Sequence, residues 1–210
     1  MKELLVLNDC PGQTFISEHP DVRVINSEKR FPTLGEKRNA TIEAARGEFI
    51  AIWDDDDVYL PWRLSFSLSE LQRWATDFYR PAEFLAYWGV DELHDNQSVP
   101  GWISHPTVLF GRSLWERVDG YPSYDVGEDA GFFARIHEYL DVPFIKYPLR
   151  NCDRFMVLRG TSRYQHTSIE GGSEPLDTGP GQFQIVPRPI EDPILREAFC
   201  RLRNARNPRA

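Results

Sequence analysis

The chain has 210 residues, 41% of them hydrophobic and 27% charged, and this length favours one domain because two halves would each have a thin core. Its formal net charge of -8 at pH 7 argues against nucleic acid as the main partner, since phosphate binding requires a basic face. No apolar run approaches the roughly 18 residues that a membrane span requires, so we expect a soluble protein.

The cysteines and the N-terminus bear on the cell compartment. Cys10, Cys152 and Cys200 are far apart, odd in number and without Cys-x-x-Cys spacing, so they support neither a disulfide framework nor a thiolate metal site. No export signal is visible after Met1. A reducing cytoplasm therefore fits best.

The first predicted elements alternate between strand and helix. Apolar runs at residues 4–7 and 22–25 predict two strands. Residues 33–36 have a capping-box pattern that begins a helix, and Arg46-Gly47 supplies the cation and the glycine expected at its end. The apolar run at residues 48–53 predicts a strand that is buried on both faces. Strand, helix and strand in this order predict a parallel sheet.

The rest of the chain continues the same alternation. Pro61 suits the first turn of a helix with a buried stripe of Leu64, Leu68, Leu71, Ala75 and Phe78. Further elements are predicted as strands at residues 84–88 and 107–110, helices at 113–118, 128–140 and 194–202, and a long loop or lid at 169–183. The fold class is therefore α/β, with a main domain over residues 1–190 and a C-terminal amphipathic helix and basic tail over 191–210.

The basic tail is the exception to the acidic composition. Only Glu197 opposes its arginines, which are Arg196, Arg201, Arg203, Arg206 and Arg209. The tail is either a solvated, frayed terminus or a weak peripheral contact with an acidic membrane surface.

Four consecutive aspartates, Asp54 to Asp57, directly follow the predicted strand at residues 48–53. Carboxylates this close destabilise one another, so a divalent cation is their natural partner. Open α/β sheets bind ligands at the carboxyl ends of their strands, and hard oxygen ligands favour Mg²⁺ or Mn²⁺. By itself, the run is equally well explained as a solvated acidic turn before the next helix.

The residues around the aspartates form a longer pattern, made of Asn39-Ala40, Gly47-Glu48-Phe49-Ile50, Asp54 to Asp57, Leu60-Pro61 and Arg63-Leu64. This pattern resembles the central signature of family 2 glycosyltransferases. The resemblance implies a single GT-A (Rossmann-like) domain with a mostly parallel central sheet flanked by helices. It also implies a nucleotide-sugar site in which Asp56 ligates the metal, Asp54 contacts the ribose or the metal, and Asp55 is the variable middle residue.

A second motif, Gly127-Glu128-Asp129, resembles the Glu-Asp motif of the same family at a helix start. The resemblance implies that Asp129 is the general base and that Glu128 belongs to the acceptor site. Inverting transfer needs a carboxylate that removes the proton of the acceptor hydroxyl as its oxygen attacks the sugar. Without the resemblance, both acidic residues are explained by the helix dipole.

Two predictions about the nucleotide-sugar site follow from weaker matches to the family. Asp9 lies where the family has an aspartate that accepts a hydrogen bond from uracil, although an Asx-turn is a serious alternative. Arg38 corresponds to a basic residue that pairs with the diphosphate, although Arg38 and Lys37 are equally well explained as solvated helix charges.

Three further predictions concern the metal and the acceptor. His166 lies where many GT-A enzymes have a late histidine that ligates the metal or contacts the diphosphate. His105 lies in the stretch where the family shapes the acceptor pocket, and Trp88 is a candidate to stack on a sugar face. Packing in the core is the default explanation for Trp88, and a packed or surface histidine is the commoner explanation for His166.

The function predicted from the resemblance is inverting, metal-dependent transfer of a sugar from a nucleotide-sugar, expected to be UDP-linked because of Asp9. The acceptor is a hydroxyl of a glycan, a lipid-linked molecule or another compound. The alternative is a degenerate, non-catalytic GT-A domain that binds a glycan or a protein, because the first strand and helix usual in the family are missing before residues 3–8. A metal-dependent phosphohydrolase or nuclease needs further metal-ligand motifs that the sequence lacks.

Overall fold

The structure is a computed structural model that describes residues 2–54, 58–81, 83–87, 93–98, 105–141, 156–159, 183–188 and 197. Its strands are β1 (Leu4–Asn8), β2 (Val22–Asn26), β3 (Phe49–Ala51), β4 (Val58–Tyr59), β5 (Phe78–Tyr79), β6 (Glu83–Tyr87), β7 (Leu93–Ser98), β8 (Leu109–Gly111), β9 (Met156–Arg159) and β10 (Phe183–Arg188). Its helices are α1 (Leu34–Ala44), α2 (Arg63–Trp74), α3 (Arg112–Arg117) and α4 (Glu128–Leu140).

The chain divides into two compact units, each built from two segments. The first unit is Met1–Ile50 with Phe110–Phe144, and the second is Ala51–Leu109 with Ile145–Ala210. The predicted boundary at residue 190 lies outside the described residues, so the domain limits stay a prediction.

The first unit begins with β1 and β2, which pair in parallel from Leu4 opposite Val22 to Asn8 opposite Asn26. Both strands were predicted from their apolar runs. Leu4 and Val6 alternate with better-buried neighbours, as the two-residue repeat of a strand requires.

Helix α1 begins as its sequence predicts, because Thr33 Oγ1 accepts a hydrogen bond from Glu36 N at 3.2 Å. Its end differs from the prediction. The cap is Ala45 in an extended conformation, and Arg23 and Arg112 donate to the carbonyls of the last turn. The cations at this helix end thus come from distant parts of the chain, and Gly47 is not the capping glycine.

Helix α4 begins and ends at the predicted residues and buries Phe132, Phe133 and Ile136. Phe132 stacks on Tyr121 with ring centroids 4.1 Å apart, and its ring makes a T-shaped contact with that of Phe110, with centroids 5.2 Å apart. Helix α3 lies one residue earlier than the predicted range of 113–118. These aromatic contacts form the core of the first unit.

The second unit contains helix α2, whose buried face differs from the predicted stripe. The helix ends at Trp74, Ala75 follows in the left-handed conformation, and Phe78 lies in β5. The buried residues of α2 are Arg63, Phe66, Ser67, Glu70 and Leu71. Pro61 precedes the helix instead of lying in its first turn. The buried face of α2, which was predicted to be apolar, is partly polar.

Backbone hydrogen bonds orient β3 and β8, which share a three-stranded sheet with β5. Arg112 N donates to Glu48 O at 2.8 Å, and Ile52 N donates to Val108 O at 3.4 Å, so β3 and β8 run antiparallel. Strand β3 is shorter than predicted. Phe49 is exposed whereas Ile50 is buried, so the prediction of burial on both faces is wrong.

The largest sheet has the strand order β10-β7-β6-β9-β4. Only its β6–β9 pair is parallel; β7 pairs antiparallel with β6 and β10, and β4 pairs antiparallel with β9. The α/β class is confirmed. The described sheets are small and partly antiparallel, however, and they do not form the mostly parallel central sheet that was predicted, because strand direction depends on connections that apolar runs do not encode.

Several predictions lie outside the described residues. These are the loop at 169–183 apart from Phe183, which begins β10, and the closing helix at 194–202 apart from Glu197, which is helical. Among the helices in the described parts of the chain, none is both long enough and apolar enough to cross a membrane.

Candidate active site

The carboxyl end of β1 turns sharply at Asn8, in the first unit. Asn8 Oδ1 accepts a hydrogen bond from Cys10 N at 3.1 Å, and Asn8 Nδ2 donates to Asn26 Oδ1 and Gln13 O, both at 2.9 Å. The Asx-turn considered for Asp9 is therefore formed by Asn8. The Asp9 carboxylate is left for other contacts.

Asp9 is buried and holds two donors from the chain. Its Oδ1 accepts from Lys37 Nζ at 2.6 Å, and its Oδ2 accepts from Phe31 N at 3.2 Å. Burial raises the pKa of Asp9, but the hydrogen bonds from Lys37 and Phe31, together with the Lys37 charge, outweigh burial and hold the pKa below 3.8. An ionised carboxylate retains further lone pairs, so the uracil contact of Asp9 stays a prediction.

The start of α1 is bound to residues 121–125, which lead to the Glu-Asp motif in the same unit. Gly35 N donates to Tyr124 O at 3.0 Å, and Leu34 N donates to Asp125 Oδ1 at 3.1 Å. A Cβ atom on Gly35 would lie 1.8 Å from Pro122 O, so only glycine permits this approach. Helix α1 and the motif are therefore held in a fixed relation.

Asn39 strengthens the same junction from the interior of α1. Its Oδ1 accepts from Tyr121 N at 2.8 Å and from Trp115 Nε1 at 3.0 Å, and its Nδ2 donates to Tyr121 O at 2.8 Å. Both polar atoms of the amide are thus used. The turn before Tyr121 contains Gly120 at a φ of 58°, in the left-handed region that glycine favours.

Arg38 and Glu128 are brought together by this junction. Arg38 Nε donates to Glu128 Oε1 at 3.1 Å, and its guanidinium lies 6.0 Å from the Tyr121 ring centre. Glu128 is only 5% exposed, and burial raises its pKa, despite the opposing Arg38 charge and aided by Asp129. The predicted diphosphate contact of Arg38 and acceptor contact of Glu128 stay predictions.

Asp129 lies in the first turn of α4 and is more accessible than Glu128. The helix is preceded by Gly127 at a φ of 79°, and Asp129 Oδ1 accepts a hydrogen bond from Ala130 N at 2.7 Å. The left-handed glycine lets the chain enter the helix with Glu128 buried and Asp129 half-buried. Of the two adjacent carboxylates, Asp129 is the one that solvent reaches more readily.

Asp54 lies in the second unit, two residues beyond Ile52, where the chain leaves β3. Its backbone N–H donates to Tyr59 Oη at 2.9 Å, across the aspartate run. The rings of Tyr59 and Trp53 lie 4.1 Å apart between centroids. Trp53 and Asp54 are therefore in contact with Tyr59, which follows the run.

The Arg63 side chain packs against the rings of Trp53 and Tyr59 and is 1% exposed. Its guanidinium carbon is 4.0 Å from the ring centre of Tyr59 and 4.6 Å from that of Trp53. Its Nη2 donates to Ile52 O, and to Pro106 O at 2.7 Å. The side chain thus contacts residues on both sides of the aspartate run.

His105 begins a 3-10 turn in the second unit, over His105–Thr107, and is 3% exposed. Its carbonyl accepts from Val108 N at 3.2 Å. Pro106, its neighbour, accepts the Arg63 hydrogen bond. The acceptor role of His105 stays a prediction.

Four predicted site residues, Asp55, Asp56, Trp88 and His166, lie outside the described residues. Among the residues that are described, no group of three or more histidine, cysteine, aspartate or glutamate side chains is placed to hold a metal. The roles predicted for these four residues therefore stay predictions.

Sequence reasoning gave no role to Asn39, Tyr59 or Arg63. A signal existed for Arg63, because a cation in the first turn of a helix opposes the helix dipole and so indicates a tertiary partner. A polar amide in a helix interior is a similar but weaker signal for Asn39. Nothing in the sequence indicated that the Tyr59 hydroxyl reaches back to Asp54.

Comparison with known proteins matches residues 2–102 to the family described as glycosyl transferase family 2. Among solved structures, S. aureus TarS 1-349 is similar at 18% identity and a TM-score of 0.51, over 75% of this chain and 51% of that chain. The same protein in complex with UDP-GlcNAc is similar at 19% identity and a TM-score of 0.50, over 79% and 51%. The chain thus spans about half the length of these structures, and the likeness concerns the fold. No curated protein matches.

Proposed function

We propose, from the match of residues 2–102 to glycosyl transferase family 2, that the chain is an inverting, metal-dependent glycosyltransferase of the GT-A fold. The proposed donor is a UDP-sugar, because S. aureus TarS, a protein of similar fold, was solved in complex with UDP-GlcNAc. The acceptor is a hydroxyl of a glycan, a lipid-linked molecule or another compound, and the proposed compartment is the cytoplasm, with the basic tail as a weak membrane contact.

The observation that carries the proposal is the family match over residues 2–102. The matched segment includes Asp9, Arg38 and the aspartate run that begins at Asp54. The Asp9 carboxylate is ionised, as its lowered pKa indicates, and suits an N–H donor such as that of uracil.

The donor chemistry of the run fits a divalent cation. Its side chains are all carboxylates, which are the oxygen ligands that Mg²⁺ and Mn²⁺ prefer, and Asp54 is half-buried rather than sealed from solvent. We assign Asp56 and Asp54 as protein ligands, with His166 as a further ligand. When bound, the cation neutralises charge that develops on the nucleoside diphosphate leaving group.

Asp129 is the proposed base because of its exposure. Glu128 is buried and its carboxylate is paired with Arg38. The adjacent Asp129 is half-buried at the start of α4 and is therefore more accessible to an acceptor. Asp129 takes the proton from the acceptor hydroxyl as that oxygen forms the bond to the anomeric carbon and the bond to the diphosphate breaks. His105 and Trp88 are proposed to line the acceptor site.

Thermal unfolding tests the donor site. UDP at about 100 times its dissociation constant, with Mn²⁺ present, is expected to raise Tm by about 5–10 °C, and removal of the cation with EDTA is expected to abolish the rise. Asp56→Ala and Asp54→Ala should lose the rise, whereas Asp141→Asn at the far end of α4 should keep it. No rise in the unmodified chain contradicts the donor assignment.

Turnover tests the base separately from binding. Asp129→Asn is expected to lower the rate of sugar transfer by about 100-fold or more while keeping the Tm rise with UDP and Mn²⁺. Asp141→Asn is the matched control on the same helix. Full activity of Asp129→Asn removes the base assignment, and UDP binding without transfer in the unmodified chain supports the non-catalytic alternative.

A further inference from the structure

The burial of Arg63 requires an explanation beyond packing. The side chain is 1% exposed at the first residue of α2, where a cation faces the positive end of the helix dipole. Burying a guanidinium is costly unless its donors and its charge are matched. The role of a buried arginine at this position is therefore to be found in the specific contacts that its guanidinium makes.

Those contacts converge on the aspartate run. The Ile52 carbonyl and the Trp53 ring precede the run, and the Tyr59 ring follows it. Tyr59 Oη in turn accepts the hydrogen bond of Asp54 N at 2.9 Å. One guanidinium thus touches the chain on both sides of the four aspartates.

A second carbonyl extends the contact to a distant segment. Arg63 Nη2 also donates to Pro106 O at 2.7 Å, in the turn that begins with the buried His105. Beside this turn, Ile52 N donates to Val108 O at 3.4 Å. The chain leaving β3 is therefore held against residues 105–108 by a side-chain bond and a backbone bond.

We propose that Arg63 is a positioning residue that holds the residues flanking the aspartate run, and Asp54 through Tyr59, and thereby sets the affinity of the site for its divalent cation. The proposal rests on the proposed function, because it takes the run to be the metal and donor site. A group that orients the ligands of a metal without touching it commonly changes metal affinity by about 10–100-fold when it is removed.

The geometry requires arginine rather than any cation. A planar guanidinium stacks on aromatic faces and presents several donors in fixed directions, whereas a lysine ammonium is a point charge on a flexible stem. Arg63→Lys keeps the charge but loses the ring contact and one carbonyl. It therefore separates the positioning role from a purely electrostatic one.

The test measures the Mn²⁺ concentration at which UDP stabilisation is half-maximal in the full chain. We expect about a tenfold or larger increase for Arg63→Lys, and about a fivefold increase for Tyr59→Phe, which keeps the ring but loses the acceptor for Asp54 N. Leu71→Ala, a buried position on the same helix, is the control for lost stability. It should lower Tm and leave the Mn²⁺ requirement unchanged.

Hydrogen exchange of the protein alone provides a readout that does not depend on UDP. The backbone amides of residues 52–54, 105, 107 and 108 should exchange faster in Arg63→Lys than in Leu71→Ala. Equal Mn²⁺ requirements in Arg63→Lys and the unmodified chain, or equal exchange in the two variants, overturn the proposal. If the unmodified chain shows no Mn²⁺-dependent UDP binding, the proposed function fails, and faster exchange in Arg63→Lys then supports the fixing of the run by itself.

Discussion

Replacement of Gly35 by alanine tests the junction between α1 and the segment that leads to Asp129. A Cβ atom on Gly35 would lie 1.8 Å from Pro122 O, whereas an ordinary contact begins near 3.4 Å, so the helix and the segment must separate by about 1.6 Å. The obstacle is a backbone carbonyl, which cannot rotate away as a flexible side chain does. Gly35→Ala is therefore expected to displace α1 as a whole.

The magnitude follows from the hydrogen bonds that such a displacement breaks. Gly35 N to Tyr124 O, at 3.0 Å, and Leu34 N to Asp125 Oδ1, at 3.1 Å, are lost first, and the Asn39 bonds to Tyr121 are stretched. At about 1 kcal/mol each, these bonds contribute about 3–5 kcal/mol, against a gain of about 1 kcal/mol from the higher helix propensity of alanine. The net loss is about 2–4 kcal/mol.

The assay is thermal unfolding monitored by circular dichroism. For a chain of this length the loss corresponds to a decrease in Tm of about 5–15 °C. Gly47→Ala is the matched control, because a Cβ atom there would meet only backbone atoms of Phe49, the nearest at 3.1 Å, and should change Tm by less than about 2 °C. A Tm for Gly35→Ala within the range of this control refutes the reasoning.

Two predictions concern pH. Because Lys37 helps to hold the pKa of Asp9 below 3.8, the pair stabilises the fold above the unfolded pKa and stops doing so as pH falls through the folded pKa. Lys37→Met should therefore lower Tm at neutral pH by an amount that shrinks below about pH 4; a pH-independent difference contradicts this. Because burial raises the pKa of Glu128 above 4.5, ionising this group costs stability as pH rises through the folded pKa. Tm measured across this window should shift in favour of Glu128→Gln as pH rises, and parallel Tm curves for the two proteins count against the assignment.

Local sequence signals predicted the elements of the first unit well. The apolar runs located β1 and β2, the Thr33 cap began α1, and the apolar spacing of Phe132, Phe133 and Ile136 located α4. Each of these signals involves residues within a few positions of one another. The periodicity that defines a strand or a helix is a local property, so a single sequence contains it.

The errors concern contacts between residues that are far apart in the chain. Arg112 caps α1 from 67 positions away through its bond to Ala45 O, and Arg135 holds the turn after α3 through Asp119 O at 2.5 Å and Gly120 O at 3.0 Å. Strand β7 has the sequence Leu-His-Asp-Asn-Gln-Ser, which has no apolar alternation, and it pairs through its backbone with β6 and β10. No local sequence pattern indicates which distant residues or strands will be the partners of these groups.

The same limitation applied to the site. Asp54 was found because it belongs to a run of like charges, and the Arg38–Glu128 pair was not expected because its two members are 90 positions apart. Arg63 stood in the signature that suggested the family, but its role depends on carbonyls at positions 52 and 106. The sequence therefore predicted which residues bear charge better than it predicted what those charges contact.

The charges around α1 bear on why the proposed function requires a divalent cation. Lys37 is paired with Asp9 and Arg38 with Glu128, so neither cation adds net positive charge to its cluster. Under the proposed function, binding of the diphosphate by Arg38 exchanges one anionic partner for another in a chain whose net charge is already -8. Like charges a few ångströms apart repel by about 1–4 kcal/mol per pair at a protein surface, so the diphosphate brings unfavourable charge to this cluster. Under the proposed function a divalent cation offsets that charge, and chelation is therefore expected to abolish UDP binding and not only to slow sugar transfer.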